Sequence, residues 1–213
     1  MKIYDISLPI SPDIVVWPQS QAVKLSRVSD QTKGDFATVT ELHMGVHTGT
    51  HVDAPLHFLQ GGAAIESLRL ETLCGPALVR HTPTVDTISA DVFEQLSIPQ
   101  GTERLLIRSR NSELWMKSPT RFQPDFVAVS ADGAQWLVDH QIKLIGIDYL
   151  SIAPFTDLTT THQILLRADV ILLEGLNLSH IASGNYTLFC LPLNLFGSDG
   201  APARTILTEE DGH

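Results

Sequence analysis

Short apolar runs, most of them four to eight residues long and rich in β-branched side chains, recur along the chain between Gly, Pro and Asp residues. They fall at residues 3–8, 36–46, 77–80, 105–109, 126–130, 144–147, 170–173, 186–191 and 203–207. Such runs read as strands, because β-branched side chains are stiff in a helix and pack well on a pleated surface. Helical spacing is scarcer. Ser89 is placed to cap a helix over 90–96, Ser130 to cap one reaching about His140, and a third is expected to include 161–167. The run at 126–130, the helix after it and the run at 144–147 resemble a β-α-β unit, with Asp148 at the end of its second strand. The expected fold is mixed α/β and strand-rich. A chain of 213 residues with 43% hydrophobic content fits a single domain over 1–213, with an extended arm for a partner subunit.

Residues 47–58 carry the chemistry: His47-Thr-Gly-Thr-His51-Val-Asp53-Ala-Pro55-Leu-His57-Phe58. His47, His51, Asp53 and His57 are four good metal donors, and the residues between them are small or stiff and do not compete. In a fully extended strand His47 and His51 stand about 13 Å apart, at the limit of reach of a metal bonded at about 2.1 Å to each ring. The segment must therefore curl, and Gly49 permits the backbone angle that this needs. A helix would also bring residues four apart together, but Thr-Gly-Thr is a poor helix interior and Pro55 pushes Ala54 out of the α region. The reading is a strand ending in a glycine-bent loop, donors turned inward.

Four donors from one loop rarely complete a catalytic site. His162 follows three threonines at a helix start, and Glu174 ends an apolar run in which an unpaired carboxylate is expensive to bury unless a cation lies nearby. Asp148 is either a carboxylate supporting the ligands or a turn former. His43 can flank the site, whereas His81, His140, His180 and His213 lack donor-rich surroundings and read as surface residues. Cys74 and Cys190 read as isolated buried thiols.

The formal charge of −10, with no basic stripe, argues against nucleic acid or an anionic membrane as partner. No apolar run is long enough to span a bilayer and no signal-peptide core follows Met1, so the cytoplasm is the expected location. The chain has no Gly-x-Ser-x-Gly, no phosphate-binding Gly-x-x-x-x-Gly-Lys and no Cys-x-x-Cys, which removes serine hydrolases, nucleotide-dependent enzymes and zinc ribbons from the front rank.

The segment at 47–58 resembles the His-x-Gly-Thr-His-x-Asp-x-Pro-x-His signature of the cyclase family of metal-dependent hydrolases, which includes bacterial kynurenine formamidase (arylformamidase) and isatin hydrolase. The resemblance runs nearly the full chain, through Ile3-Tyr-Asp-Ile-Ser-Leu-Pro9, Gly146-Ile-Asp-Tyr-Leu-Ser151, Glu174-Gly-Leu-Asn-Leu178 and Asp199-Gly-Ala-Pro-Ala-Arg204. It implies a swivelling β/β/α fold, assembled as a homodimer or homotetramer. It also implies that His47, His51 and Asp53 bind a first metal, and that Asp53 and Glu174 bridge to a second completed by His162. His57 matches the proton-transfer histidine, and Trp17 an aromatic residue that packs on the substrate in formamidases. Those enzymes continue Trp-Pro with Gly-Asp; this chain has Gln19-Ser20.

Donors of N and O type without thiolate fit Zn or Mn, as one or two divalent ions. Such an ion lowers the pKa of bound water to about 7 and stabilises an oxyanion. The expected substrate is a small aromatic amide or lactam: an aryl formamide such as N-formylkynurenine, or an isatin-like ring. A non-catalytic metal- or ligand-binding protein is the rival from another class.

Overall fold

The computed structural model describes residues 1–117 and 120–209. In chain order the elements are β1 (Lys2–Asp5), β2 (Lys24–Ser29), β3 (Val39–His43), β4 (His51–Asp53), α1 (Leu70–Leu73), β5 (Cys74–Thr82), β6 (Thr87–Ile88), α2 (Ala90–Gln95) and β7 (Arg104–Ser109). They continue with α3 (Ser112–Met116), β8 (Ala128–Val129), α4 (Ala131–Asp139), β9 (Leu144–Ile147), α5 (Leu158–Arg167), β10 (Ile171–Glu174), β11 (Gly184–Pro192) and β12 (Gly200–Glu209).

The main sheet runs β1-β12-β11-β5-β7-β9-β10-β4 and closes on itself, because β4 also pairs with β12. The long β12 makes this closure possible. Its start, Gly200 to Pro202, pairs with β4, and its later residues pair with β11 on one side and β1 on the other. The ring leaves few free backbone groups at its seam. The strands β5, β7, β9 and β10 are parallel neighbours and the remaining pairs are antiparallel.

Alternation along β7 shows the two sides of the barrel wall. Leu106 packs with Val52, Val79, Leu173 and Leu188 in one cluster, while Leu105 and Ile107 pack in another with Phe93 of α2, Leu137 of α4 and Leu165 of α5. A parallel strand buried on both faces needs a continuous apolar run, which is why residues 105–107 read Leu-Leu-Ile. Each fully buried side chain of this kind contributes about 1.5–3 kcal/mol.

The strand-rich α/β expectation matches this architecture, with specific differences. The pair β8 and β6 forms a separate two-stranded sheet, so β8 is not the sheet neighbour of β9. The backbone around β8 has other partners: Val127 N–H donates to Asn111 Oδ1 and Val129 N–H to the Ile152 carbonyl. The β-α-β units of the main sheet instead link β5 to β7, β7 to β9 and β9 to β10. Ser89 caps α2 by accepting from Val92 N–H. Ser130 makes no such cap; its hydroxyl donates to Asp132 Oδ1 at 2.6 Å and accepts from no helix N–H. Helix α5 includes the expected 161–167 and starts at Leu158, capped by Asp157, whose carboxylate accepts from Thr160 N–H. Among the described residues the hairpin of β2 and β3 pairs only with itself, and it carries Leu25, Val28, Val39 and Leu42 exposed.

Candidate metal centre

The donor segment is bent before its strand rather than after it. Gly49 has φ of 67° and Gly175, just beyond β10, has φ of 69°; a Cβ on Gly175 would lie 2.1 Å from the Gly49 carbonyl oxygen. Two left-handed glycines back to back thus let the bend press against the end of β10. The chain then enters β4, where His51 is the register partner of Glu174 and Asp53 that of both Leu172 and Gly200. Gly200 is needed for a different reason: a Cβ there would meet the His47 ring at 2.6 Å. Beyond β4, Pro55 opens a 3-10 turn that ends with His57.

Asp53 is the hub. Its Oδ1 lies 2.8 Å from His47 Nδ1 and 3.5 Å from His51 Nε2, and its Oδ2 lies 3.6 Å from His162 Nε2. Glu174 faces the same rings, with Oε2 3.3 Å from His51 Nε2 and Oε1 3.4 Å from His162 Nε2. Oε1 also accepts from Ile152 N–H at 2.7 Å. His47, His51 and Asp53 form one set with a ligand atom each within 4.8 Å of the others, and Asp53, His162 and Glu174 form another. The structure therefore brings His47, His51, Asp53, His162 and Glu174 into one contiguous cluster.

Two observations test whether a metal suits this cluster. Asp53 Oδ2 is buried without a hydrogen-bond partner, an expensive state for a carboxylate oxygen. His51 Nδ1–H donates to the Gly49 carbonyl at 3.0 Å and His162 Nδ1–H to the Leu158 carbonyl at 2.6 Å. With Nδ1 committed as donor, each ring turns its Nε2 toward buried carboxylates, where the nitrogen must carry either a second proton or a cation. One or two divalent ions held by these residues would satisfy the two nitrogens and the orphaned oxygen, so the donor set fits a metal.

The proton affinities record the same electrostatics. Burial alone would lower His47, but hydrogen bonds and charge from Asp53 and Asp199 raise it to about 9. Burial opposes the charged form of His162 as well, and Glu174 outweighs it, raising the ring above the ordinary value. Burial pushes Asp53 and Glu174 upward, yet the surrounding imidazoles hold both carboxyls below their ordinary values. His57 behaves oppositely. Burial, aided by His47 and His162 and opposed by Asp53, lowers it, so it is neutral at pH 7.

His57 stacks on His47 at 3.9 Å between ring centres, and its Nδ1 lies 3.3 Å from Asp199 Oδ2. A cavity of about 230 Å³ opens over the cluster, lined by His47, His51, His57, His162, Glu174, Trp17, Phe58, Leu150, Leu158 and two serines, exposed Ser20 and buried Ser151. Trp17 itself rests against Phe122 and Phe155. Asp199, Phe58 and Ser151 lie in the segments 199–204, 47–58 and 146–151, but no sequence signal assigns them a site role. Asp199 accepts from His47 Nε2–H at 2.8 Å, and its only sequence signal was its place in the block 199–204.

The other candidates lie elsewhere. Asp148 does not reach the cluster: fully buried, it accepts from the backbone and side chains of Ser109 and Ser112 at 2.7–2.9 Å. It is neither a ligand support nor a mere turn former; it ties the end of β9 to the start of α3. His43 is exposed on β3 and does not flank the site. His140 is exposed, as expected of a surface residue, and stacks on Trp136 at 3.6 Å, whereas His81 is half-buried and bonds to the Ile181 carbonyl. His180 is exposed, and His213 lies outside the described residues. Cys74 and Cys190 are unpaired; burial pushes the Cys190 thiol up to about 12, as befits an inert core residue, while Cys74 is half-buried.

A closed strand-rich barrel with a carboxylate–imidazole cluster under an aromatic cavity defines the architecture of a metal-dependent hydrolase. The chain belongs to the family described as Putative cyclase, whose model matches residues 4–154. It is 42% identical to cyclase-like protein 1 of Arabidopsis thaliana over 97% of this chain and 84% of that protein. It is 32% identical to the kynurenine formamidase of Bacillus anthracis over 97% of each chain. Among solved structures it is similar to one described as a potential metal-dependent hydrolase with cyclase activity, with a TM-score of 0.86, 34% identity and 99% of each chain covered. No helix among the described residues is long and apolar enough to cross a membrane.

Proposed function

We propose that this protein hydrolyses the C–N bond of an aryl formamide or a related aromatic amide, with one or two divalent ions, Zn or Mn, held by His47, His51, Asp53, His162 and Glu174. The observation that carries the reading is the buried, unpartnered Asp53 Oδ2 facing an imidazole whose Nδ1–H is already spent on a backbone carbonyl. When bound, a divalent ion supplies a water acidified to a pKa of about 7 and polarises the carbonyl oxygen.

The chain's own residues do the rest. The Gly49 and Leu158 carbonyls hold Nδ1–H of His51 and His162, so their Nε2 atoms are the ones that would hold the ion. His57, neutral at pH 7 and at the cavity wall, takes a proton from the attacking water and returns it to the departing nitrogen. Asp199, 3.3 Å from His57 Nδ1, orients that ring. Trp17, with Phe122 and Phe155 behind it, provides a surface for an aromatic ring. The products are a carboxylic acid and an amine, and water is the only co-reactant.

The Bacillus formamidase relative supports N-formylkynurenine as substrate. A second reading, opening of a lactam such as isatin, is favoured by the small cavity with no Lys or Arg on its wall. The exposed apolar side chains of the β2–β3 hairpin support a homodimer or homotetramer. The test is a side-by-side assay of the metal-loaded protein on N-formylkynurenine and isatin. Turnover of the first supports formamidase activity, preference for the second moves the assignment to lactam opening, and stoichiometric metal with inertness toward every aryl amide favours the binding-protein rival.

A further inference from the structure

Ser151 follows β9 and is 4% exposed, yet it lines the cavity beside the cluster. Its Oγ accepts one hydrogen bond, from Ala153 N–H at 3.2 Å, while the next residue, Ile152, donates its N–H to Glu174. Among the described residues nothing accepts the Ser151 hydroxyl hydrogen. Of the other buried hydroxyls, Thr50 donates to the Gly175 carbonyl and Thr161 to the Val129 carbonyl, while Thr82 Oγ1 has no partner among the described residues but does not line this cavity. A buried O–H donor without an acceptor is costly, so such a group facing a cavity is a place where a ligand acceptor fits.

We propose that the Ser151 hydroxyl donates a hydrogen bond to a carbonyl oxygen of the substrate adjacent to the scissile amide. The inference rests on the hydrolase reading for the position of the reacting group. Chemistry of the wall selects the acceptor: Trp17, Phe58, Leu150 and Leu158 offer ring and aliphatic surface, and Glu174 repels a second carboxylate. No Lys or Arg lines the cavity, so a neutral carbonyl suits Ser151 better than an anion. Ser151 adjoins Ile152, whose N–H bonds to Glu174, so a molecule in this cavity of about 230 Å³ meets Ser151 and the donor cluster with groups a few bonds apart. An ortho-acyl formanilide or a ring with two adjacent carbonyls has that form. A site built around such a bond discriminates against an analogue that lacks the acceptor, because its own donor is then left unpaired.

The test compares wild type, Ser151→Ala and Ser151→Thr on formanilide and on 2′-formamidoacetophenone, which differ in the ortho carbonyl, with metal content measured for each protein. Ser151→Ala should raise KM for the ortho-acyl substrate by about tenfold, a loss of about 1.4 kcal/mol, while changing formanilide by less than about twofold. Ser151→Thr, which keeps the hydroxyl, should restore most of the difference. Equal losses on both substrates, or none on either, would overturn the proposal. If wild type hydrolyses neither compound, the hydrolase reading fails separately. Calorimetric binding of 2-aminoacetophenone and aniline then decides on Ser151: the Ala variant should weaken only the first, and equal affinities would reject the contact.

Discussion

His51 and Glu174 are register partners on the antiparallel strands β4 and β10, and their side chains meet with Nε2 3.3 Å from Oε2. Cross-strand partners project from the same face of a sheet, so the ladder itself fixes the spacing between these donors. His162 is held from another direction, by α5 and its bond to the Leu158 carbonyl. The cluster therefore rests on rigid elements, the condition under which a metal site keeps its geometry.

Glu174→Gln keeps the shape of that contact and removes its charge. Loss even of groups that only support metal ligands costs about 10- to 100-fold in affinity, so this variant should bind metal at least that much more weakly and lose amide hydrolysis in proportion. Elemental analysis at limiting metal checks it; full metal content would remove Glu174 from the ligand set.

His57→Ala should lower kcat by about 10²- to 10⁴-fold, the range for removal of a general acid–base group, and leave metal content intact. The geometry also offers His47, His57 and Asp199 as a set of closely spaced donors. Metal lost along with activity would make His57 a ligand and leave the proton transfer to another group.

His47 gives the metal-free protein a specific pH dependence. Its ordinary value is 6.5 and its folded value about 9, so the folded state binds the proton more tightly. The stabilisation, on the order of 3 kcal/mol, is fully present below pH 6.5 and is lost as pH rises through about 9. The melting temperature of metal-free protein should fall across that window, and Asp53→Asn should flatten the fall. Metal binding at His47 displaces the same proton, so affinity should rise with pH over the same range. A flat or rising melting curve contradicts this account.

Asp148→Ala should destabilise the fold by about 3 kcal/mol or more, because it strands the buried donors of Ser109 and Ser112. Denaturant unfolding checks the magnitude. Activity per folded molecule should stay near that of the parent, since Asp148 makes no contact with the donor cluster.

The strands that form the barrel wall were legible because a strand buried on both faces needs an unbroken apolar run, as at 105–107 and 144–147. The hairpin strand β2 carries no such signal, since Lys24-Leu-Ser-Arg-Val-Ser29 buries little and so has no apolar pattern to read. Residues 126–130 had the composition of a strand, but side-chain and loop acceptors took most of its backbone bonds. The donors in 47–58, with His162 and Glu174, could be found because their chemistry is costly in an apolar setting. Asp199 and Ser151 could not: each is an ordinary residue locally, and only the closure of β12 onto β4 and the turn after β9 bring them to the cavity.

The central claim is that these five side chains hold the divalent ion on which amide hydrolysis depends. Its most direct test is metal content per chain measured alongside hydrolysis of aryl formamide and isatin, before chelation, after it, and after adding back Zn or Mn. The expected result is one or two equivalents of metal, activity abolished by the chelator and restored in step with the returning ion. Activity that persists in fully metal-free protein, or a purified chain that binds no divalent ion, would contradict it.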